Sequence, residues 1–228
     1  MSQTASIAAA LIFCFIGSNL TAGPTLSAAQ GQTAAPRHGK LFPPIDLGLL
    51  EGPDRDAWQK PDQIMDALGI ADGSKVADIG AGAGWFTMRL ARRVGPNGAV
   101  YAQDIQPQML AAVRRRVQRE GLQNVSTVLG KGSAPNLPVG VLDAVLVVDA
   151  YPEVKVPDRV TFLKNLAIGL KPNGRIGIVN YKLGGGGPGP EASLRVPRAS
   201  VESDARAAGL TVKSIGNLPY QYLLVLGR

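Results

Sequence analysis

The chain has 228 residues, 45% of them hydrophobic and 18% charged, a balance that excludes a disordered chain or a multi-span membrane protein and suits one catalytic domain with a buried core. The formal net charge is +7, and there is a single histidine, His38, and a single cysteine, Cys14. One imidazole and one thiol exclude a disulfide framework and the usual zinc clusters.

Met1 to Ala29 contains no charged side chain, and Ile7 to Ile16 is an unbroken apolar run. The run is too short to span a bilayer but has the length of a secretory h-region, and Ser27-Ala28-Ala29 offers small residues at a cleavage site before Gln30. We therefore expect residues 1–29 to be a signal peptide that exports the protein. The missing Lys or Arg ahead of the apolar run keeps a membrane-anchored or cytoplasmic protein as the alternatives. Residues 30–53 are rich in Gly, Pro, Gln and Ala and read as a linker and irregular arm, with His38 a solvated linker residue. Residues 54–228 form the expected catalytic domain.

Asp54 to Leu68 is compatible with a helix, Pro61 suits a helix start, and Ile64, Met65 and Leu68 make an apolar stripe. The segment reads as a helix capping the domain, with Trp58 and Gln59 just ahead of its apolar stripe. From Lys75 onward short apolar strands alternate with amphipathic helices, the pattern of a doubly wound parallel sheet. Strands are predicted at Val76 to Ile79, Ala99 to Gln103, Val125 to Leu129, Leu142 to Val148 and Arg175 to Tyr181. Helices are predicted at Trp85 to Val94, Pro107 to Glu120, Asp158 to Leu170 and Ser200 to Ala208. Gly95-Pro96-Asn97-Gly98 and Lys171-Pro172-Asn173-Gly174 read as turns between helix and strand. Thr211 to Gly216 and Tyr220 to Leu226 are strands joined by three residues only, which forces them antiparallel.

The first strand ends in Asp78 and opens into Gly80-Ala81-Gly82-Ala83-Gly84 ahead of a helix. Glycines there let a ligand lie against backbone, and the helix start offers unpaired N–H groups. The spacing is G-x-G-x-G rather than the G-x-G-x-x-G of a pyrophosphate site, and Asp78 would repel a diphosphate but hold an ammonium. Asp104, twenty residues past Gly84, stands where a carboxylate accepts the ribose hydroxyls of a nucleoside.

This acid-glycine triplet and the closing hairpin resemble the class I S-adenosylmethionine-dependent methyltransferases, most of all the small-molecule enzymes that methylate quinone precursors. The resemblance runs from Asp54 to Arg228. It implies an α/β, Rossmann-like, seven-stranded sheet, mostly parallel with a C-terminal antiparallel hairpin. It also implies S-adenosylmethionine as cofactor, held by Asp78, Gly80, Ala81, Gly82, Gly84, Asp104, Ile105, Ser133 and Asp149. Ser133 stands where many relatives carry an acid that contacts the adenine amino group. Tyr151 and Glu153, with Asp149, are the residues expected to position or deprotonate a small acceptor. The glycine-rich stretch Gly184 to Pro190 leaves the ligand side of the sheet and reads as a lid.

Arg114-Arg115-Arg116 and Arg119 form the densest basic cluster, on a helix that buries Leu110 and Val113. No aromatic residues interleave with them, so the expectation is a solvated face and not nucleic-acid binding. Two other classes share the sheet. A nicotinamide-dependent oxidoreductase is disfavoured by the glycine spacing and the final hairpin, and an exported, non-catalytic binding module with the methyltransferase fold is the other alternative.

Overall fold

The computed structural model describes Pro43 and residues 51–184 and 186–228. The expected signal segment and all of the arm up to residue 50 other than Pro43 lie outside the described residues. A seven-stranded sheet of order β3-β2-β1-β4-β5-β7-β6 forms the frame. It is made of β1 (Lys75–Ile79), β2 (Ala99–Asp104), β3 (Val125–Leu129), β4 (Leu142–Val148), β5 (Leu170–Tyr181), β6 (Thr211–Asn217) and β7 (Gln221–Gly227). Five strands run parallel, while β7 pairs antiparallel with both β5 and β6. The expected mostly parallel sheet with a closing hairpin is the one observed.

Among the described residues six α-helices accompany the sheet: α1 (Arg55–Gln59), α2 (Pro61–Ala67), α3 (Trp85–Val94), α4 (Pro107–Arg119), α5 (Arg159–Gly169) and α6 (Arg198–Ala207). The central strands are apolar on both faces because helices cover both, as in parallel sheets generally. Alternate residues sort accordingly. Ala77, Ile79, Val145, Val147, Leu224 and Leu226 pack with Phe162, Leu163 and Leu166 of α5 and Val201 and Ala205 of α6. Val76, Leu146, Leu223 and Val225 point the other way, onto Ile64, Met65 and Leu68 beside α2 and Trp85, Phe86 and Leu90 of α3. Burying one such Leu or Ile side chain is worth about 1.5–3 kcal/mol, so each layer is held by many contributions of similar size.

Two local predictions are revised. The stretch expected as one helix over 54–68 is two, because Lys60 adopts a left-handed φ of 51° and Pro61, lacking an N–H, begins a new helix. Lys171 to Gly174, expected as a turn ahead of a strand, lies within β5: Leu142 pairs with Leu170 and Ala144 with Arg175, so the tetrapeptide is an irregular excursion of one strand. Gly174 lets the chain return, since a Cβ there would stand 2.8 Å from the Leu142 carbonyl oxygen. α4 buries Met109, Leu110 and Val113 and turns its arginines outward, with Arg116 paired to Glu120 and Glu51.

The order of the strands reverses between β1 and β4, and in open α/β sheets the crevice beyond that reversal is where ligands bind. The loops that leave these two strands meet there.

Candidate functional site

Gly80 is where they touch. It has φ of +69°, and a Cβ built on it would lie 2.5 Å from the Cβ of Ala150. Only glycine satisfies both the left-handed backbone and the approach. Gly82 and Gly84 are also left-handed, at 53° and 82°, which folds the triplet into a tight cradle ahead of α3. The cradle is tied to the end of β2: Ala81 N–H donates to the Gln103 carbonyl at 2.9 Å and Gly82 N–H donates to Oδ2 of Asp104 at 3.0 Å.

Asp78 lies beneath the cradle, 3% exposed, and accepts a hydrogen bond from Thr87 Oγ1 of α3 at 2.6 Å. Burial pushes its carboxyl up to about 6, with the Thr87 hydrogen bonds and the Arg55 charge pulling the other way. Asp104 is 7% exposed; its Oδ1 accepts from Gln106 N–H at 2.9 Å while Oδ2 holds Gly82. Burial raises its pKa too, opposed by these backbone donors. Each oxygen of a carboxylate has a second lone pair, so Asp104 keeps capacity for further donors at the mouth of the crevice. Ile105, the next residue, is 43% exposed although apolar. The loop after β3 joins this corner through Gly130 N–H, which donates to the Asp104 carbonyl at 3.0 Å. Ser133 of that loop is half-buried, and its carbonyl accepts from Asn165 Nδ2 of α5 at 2.9 Å.

On the other side of the crevice Asp149 follows β4 with φ of +55°, a conformation that costs most residues about 1–2 kcal/mol and that Asp tolerates better than most. Both its carboxylate oxygens accept from Gln221 Nε2 at 2.8 Å, and Gln221 Oε1 in turn accepts from Gln59 Nε2. Gln59 and Gln221 are fully buried, so this chain of amides fastens α1 to the start of β7 and to the β4 loop. Burial pushes Asp149 up to about 7, against the attraction of Arg55 and the Gln221 hydrogen bonds. Arg55, on α1, places its guanidinium carbon 4.2 Å from the Trp85 ring centroid and is attracted by Asp149, Tyr181 and Asp78.

Three aromatic rings from three parts of the chain meet at α1. Trp58 of α1 has its ring centroid 6.1 Å from that of Tyr181 and 6.3 Å from that of Tyr220. The glycine-rich loop lies on them, for a Cβ on Gly187 would meet the Tyr220 ring at 2.3 Å and one on Gly189 the Tyr181 ring at 2.4 Å. Arg195 clamps that loop, donating to the carbonyls of Lys182 and Pro190 at 2.8 Å and of Gly186 at 3.3 Å.

The sequence of this framework matches a family model described as a methyltransferase domain over residues 76–174. Among curated proteins the chain is 32% identical over 120 residues to a demethylmenaquinone methyltransferase of Anoxybacillus flavithermus, covering 53% of this chain and 49% of that one. It is 33% identical over 133 residues to the nocamycin O-methyltransferase of Saccharothrix syringae, covering 58% and 44%. The chain thus spans about half the length of the curated relatives it matches. Among solved structures, a SAM-dependent methyltransferase from Aquifex aeolicus superposes with a TM-score of 0.76 at 26% identity, over 82% of this chain and 98% of that one. In sequence over these residues and in fold the chain is similar to the class I S-adenosylmethionine-dependent methyltransferases.

Of the residues that the resemblance singles out, the structure gathers Asp78, Gly80, Ala81, Gly82, Gly84 and Asp104 at one corner of the crevice, with Asp149 across it on the loop that touches Gly80. It does not bring Tyr151 there. The left-handed turn at Asp149 sends the chain beneath the sheet, where Tyr151 is 0% exposed, packs near Phe162 and donates from its hydroxyl to Oδ2 of Asp204 on α6 at 2.6 Å. Burial and the Asp204 carboxylate push its phenol pKa up, the reverse of what a proton acceptor needs. The expectation of a catalytic Tyr151 is corrected to a core residue that secures α6. Glu153 is exposed on the 3-10 turn Tyr151–Glu153. Sequence reasoning missed Arg55, Gln103 and Gln221, whose only signal is polarity inside otherwise apolar or unremarkable segments.

Proposed function

We propose that the protein transfers a methyl group from S-adenosylmethionine to a small acceptor. The observation that carries this reading is the meeting of Gly80 with Ala150 at the strand reversal, with buried Asp78 and half-buried Asp149 on either side and Asp104 linked to Gly82. The cradle fits the cofactor, because side chains at 80 and 84 would fill the space against Ala150 and Val113. When bound, S-adenosylmethionine supplies a methyl group already activated by a sulfonium. Asp104 accepts the ribose hydroxyls, Ile105 lies against the base, and Ser133 offers it a polar contact. Asp78 and Asp149 favour the cationic ammonium and sulfonium, and Gly80, Ala81, Gly82 and Gly84 permit backbone approach.

The chain's remaining work is to align the acceptor and exclude water, which is most of the catalysis a preactivated methyl requires. Trp58, Tyr181 and Tyr220, with the glycine loop above them, are the surface we assign to the acceptor. The relatives named for demethylmenaquinone and nocamycin support a small organic acceptor. Asp149, with Glu153 on the exposed turn beyond it, is the base we expect to take the proton where the acceptor carries a hydroxyl. Replacing Asp104 with Ala removes charge-assisted hydrogen bonds worth about 1.5–3 kcal/mol, so affinity for S-adenosylhomocysteine should fall about 10- to 100-fold by calorimetry. Unchanged binding in that variant would overturn the reading.

We also propose that residues 1–29 are an export signal with no part in the fold, on the strength of their uncharged apolar run. Deleting them should leave the melting temperature and S-adenosylhomocysteine affinity unchanged. Recovery of the uncleaved full-length chain from the cytoplasm of a bacterial host would count against export.

A further inference from the structure

The crevice leaves one cluster of cations unused. On α3, Arg89, Arg92 and Arg93 stand at positions i, i+3 and i+4 and so share a helix face. A cavity of about 530 Å³ is lined by these three arginines and, from α1, α2 and the joint between them, by Asp56, Lys60 and Asp62. Its size is that of a small-molecule site, but its lining is charged where such sites are mostly apolar. Four cations against two acids leave it net positive.

Arg89 is a fixed wall of this cavity. Its Nε and Nη2 donate to Asp56 at 3.1 and 2.5 Å, its Nη1 donates to the Trp85 carbonyl at 3.1 Å, and its guanidinium carbon lies 3.5 Å from the Trp85 ring centroid. The other three cations keep donors. A guanidinium has five N–H bonds; Arg92 commits Nη2 to Glu120 at 2.5 Å, and Arg93 commits Nη2 to Asp66 while its buried Nε meets no acceptor. Ion pairs this exposed are worth little, so both arginines can turn to a ligand. Lys60 is exposed, and its ammonium holds no hydrogen bond or ion pair among the described residues. It also has φ of 51° at the C-cap of α1, a left-handed position that glycine or asparagine ordinarily fills. A lysine kept where glycine would fold more easily points to a task for its ammonium.

We propose that this groove is a second binding site, for a phosphate-bearing anion, held by Lys60 from the α1–α2 joint and by Arg92 and Arg93 from α3. The guanidinium forks match phosphate oxygens, and the ammonium adds a point charge. No aromatic ring lines the cavity, so a base has nothing to stack on and the phosphates carry the recognition. Asp62 opposes an anion but is outnumbered. The probe is inorganic tripolyphosphate, titrated calorimetrically into the full chain at low ionic strength. Arg92→Gln with Arg93→Gln removes two charge-assisted partners and should weaken it about 10- to 100-fold. Lys60→Gly should weaken it about 10-fold and, by relieving the left-handed backbone, raise the melting temperature by about 2–4 °C. Affinity for S-adenosylhomocysteine should stay within about twofold in both variants, which keeps this test apart from the cofactor reading. Cosedimentation with phosphatidylglycerol vesicles separates the sources of phosphate. Vesicle binding that both variants abolish, without uptake of tripolyphosphate, upholds the site and assigns it to lipid headgroups, whereas tripolyphosphate binding that both variants weaken assigns it to a free anion. Failure of the unaltered chain to bind either probe, or equal binding by all three proteins, would overturn the site. A Lys60→Gly protein that melts lower than wild type would overturn the part given to Lys60, since the lysine would then be holding the fold.

Discussion

Replacing Tyr151 with Phe separates a core residue from a catalytic one. The phenylalanine ring fills the same space among Phe162 and its neighbours, so apolar burial is conserved and only the hydroxyl is lost. That hydroxyl makes a 2.6 Å hydrogen bond to the Asp204 carboxylate, a charge-assisted contact of about 1.5–3 kcal/mol. Asp204 is only half-buried, so water can take the vacated position and soften the loss to about 1–2 kcal/mol. For a domain of this size 1 kcal/mol shifts the melting temperature by about 2–4 °C, which gives a fall of roughly 2–8 °C. Thermal unfolding is measured alongside S-adenosylhomocysteine titration, and methyl transfer is added once an acceptor is in hand. Stability should drop while ligand affinity holds. A variant that melts like wild type but loses affinity or turnover would refute the argument and restore Tyr151 to the site.

Two further predictions concern the crevice. Gly80→Ala places a Cβ at φ +69° and 2.5 Å from Ala150, whereas Gly121→Ala meets a similar φ of +67° with no atom within 4 Å. Both should lose about 1–2 kcal/mol of stability to the left-handed backbone, but only Gly80→Ala should also weaken S-adenosylhomocysteine binding; equal effects on binding would dissociate the cradle from the ligand. Burial pushes Asp78 up to about 6 and Asp149 up to about 7 in the folded chain against about 3.9 for an unfolded aspartate, so in between the folded state binds more protons. Their contribution to stability therefore rises as pH falls from about 7 towards 4, and Asp78→Asn and Asp149→Asn should each flatten the melting temperature against pH over that window. Profiles parallel to wild type in both variants would show that burial does not govern these carboxyls.

The sheet was legible because its signals are local. Strands buried on both faces read as short apolar runs, and the glycines at 80, 82 and 84 are required by backbone that can be inferred from their spacing alone. The nucleoside corner was legible for the same reason, since Asp104 reaches Gly82 across a single strand pair. The opposite wall was not. It depends on Gln59 reaching Gln221, 162 positions further along the chain, and on Gln221 gripping Asp149; two glutamines flanked by ordinary neighbours carry no mark of this in sequence.

Tyr151 shows how one dihedral misleads a positional argument. Two residues after a strand end it stands in the right place by count, yet the positive φ at Asp149 redirects the chain and exchanges the face it occupies. Side-chain alternation predicts a face only while the backbone stays extended, and Asp belongs to the few residue types that leave that region at modest cost. The strain at Asp149 and the close approach of Gly80 to Ala150 lie one residue apart on the same loop. That loop must pass close enough to seal the crevice and still hold its carboxylate on Gln221. The left-handed turn satisfies both requirements, and it does so by surrendering Tyr151 to the core, so the acceptor surface proposed above rests on α1 and the aromatic rings instead.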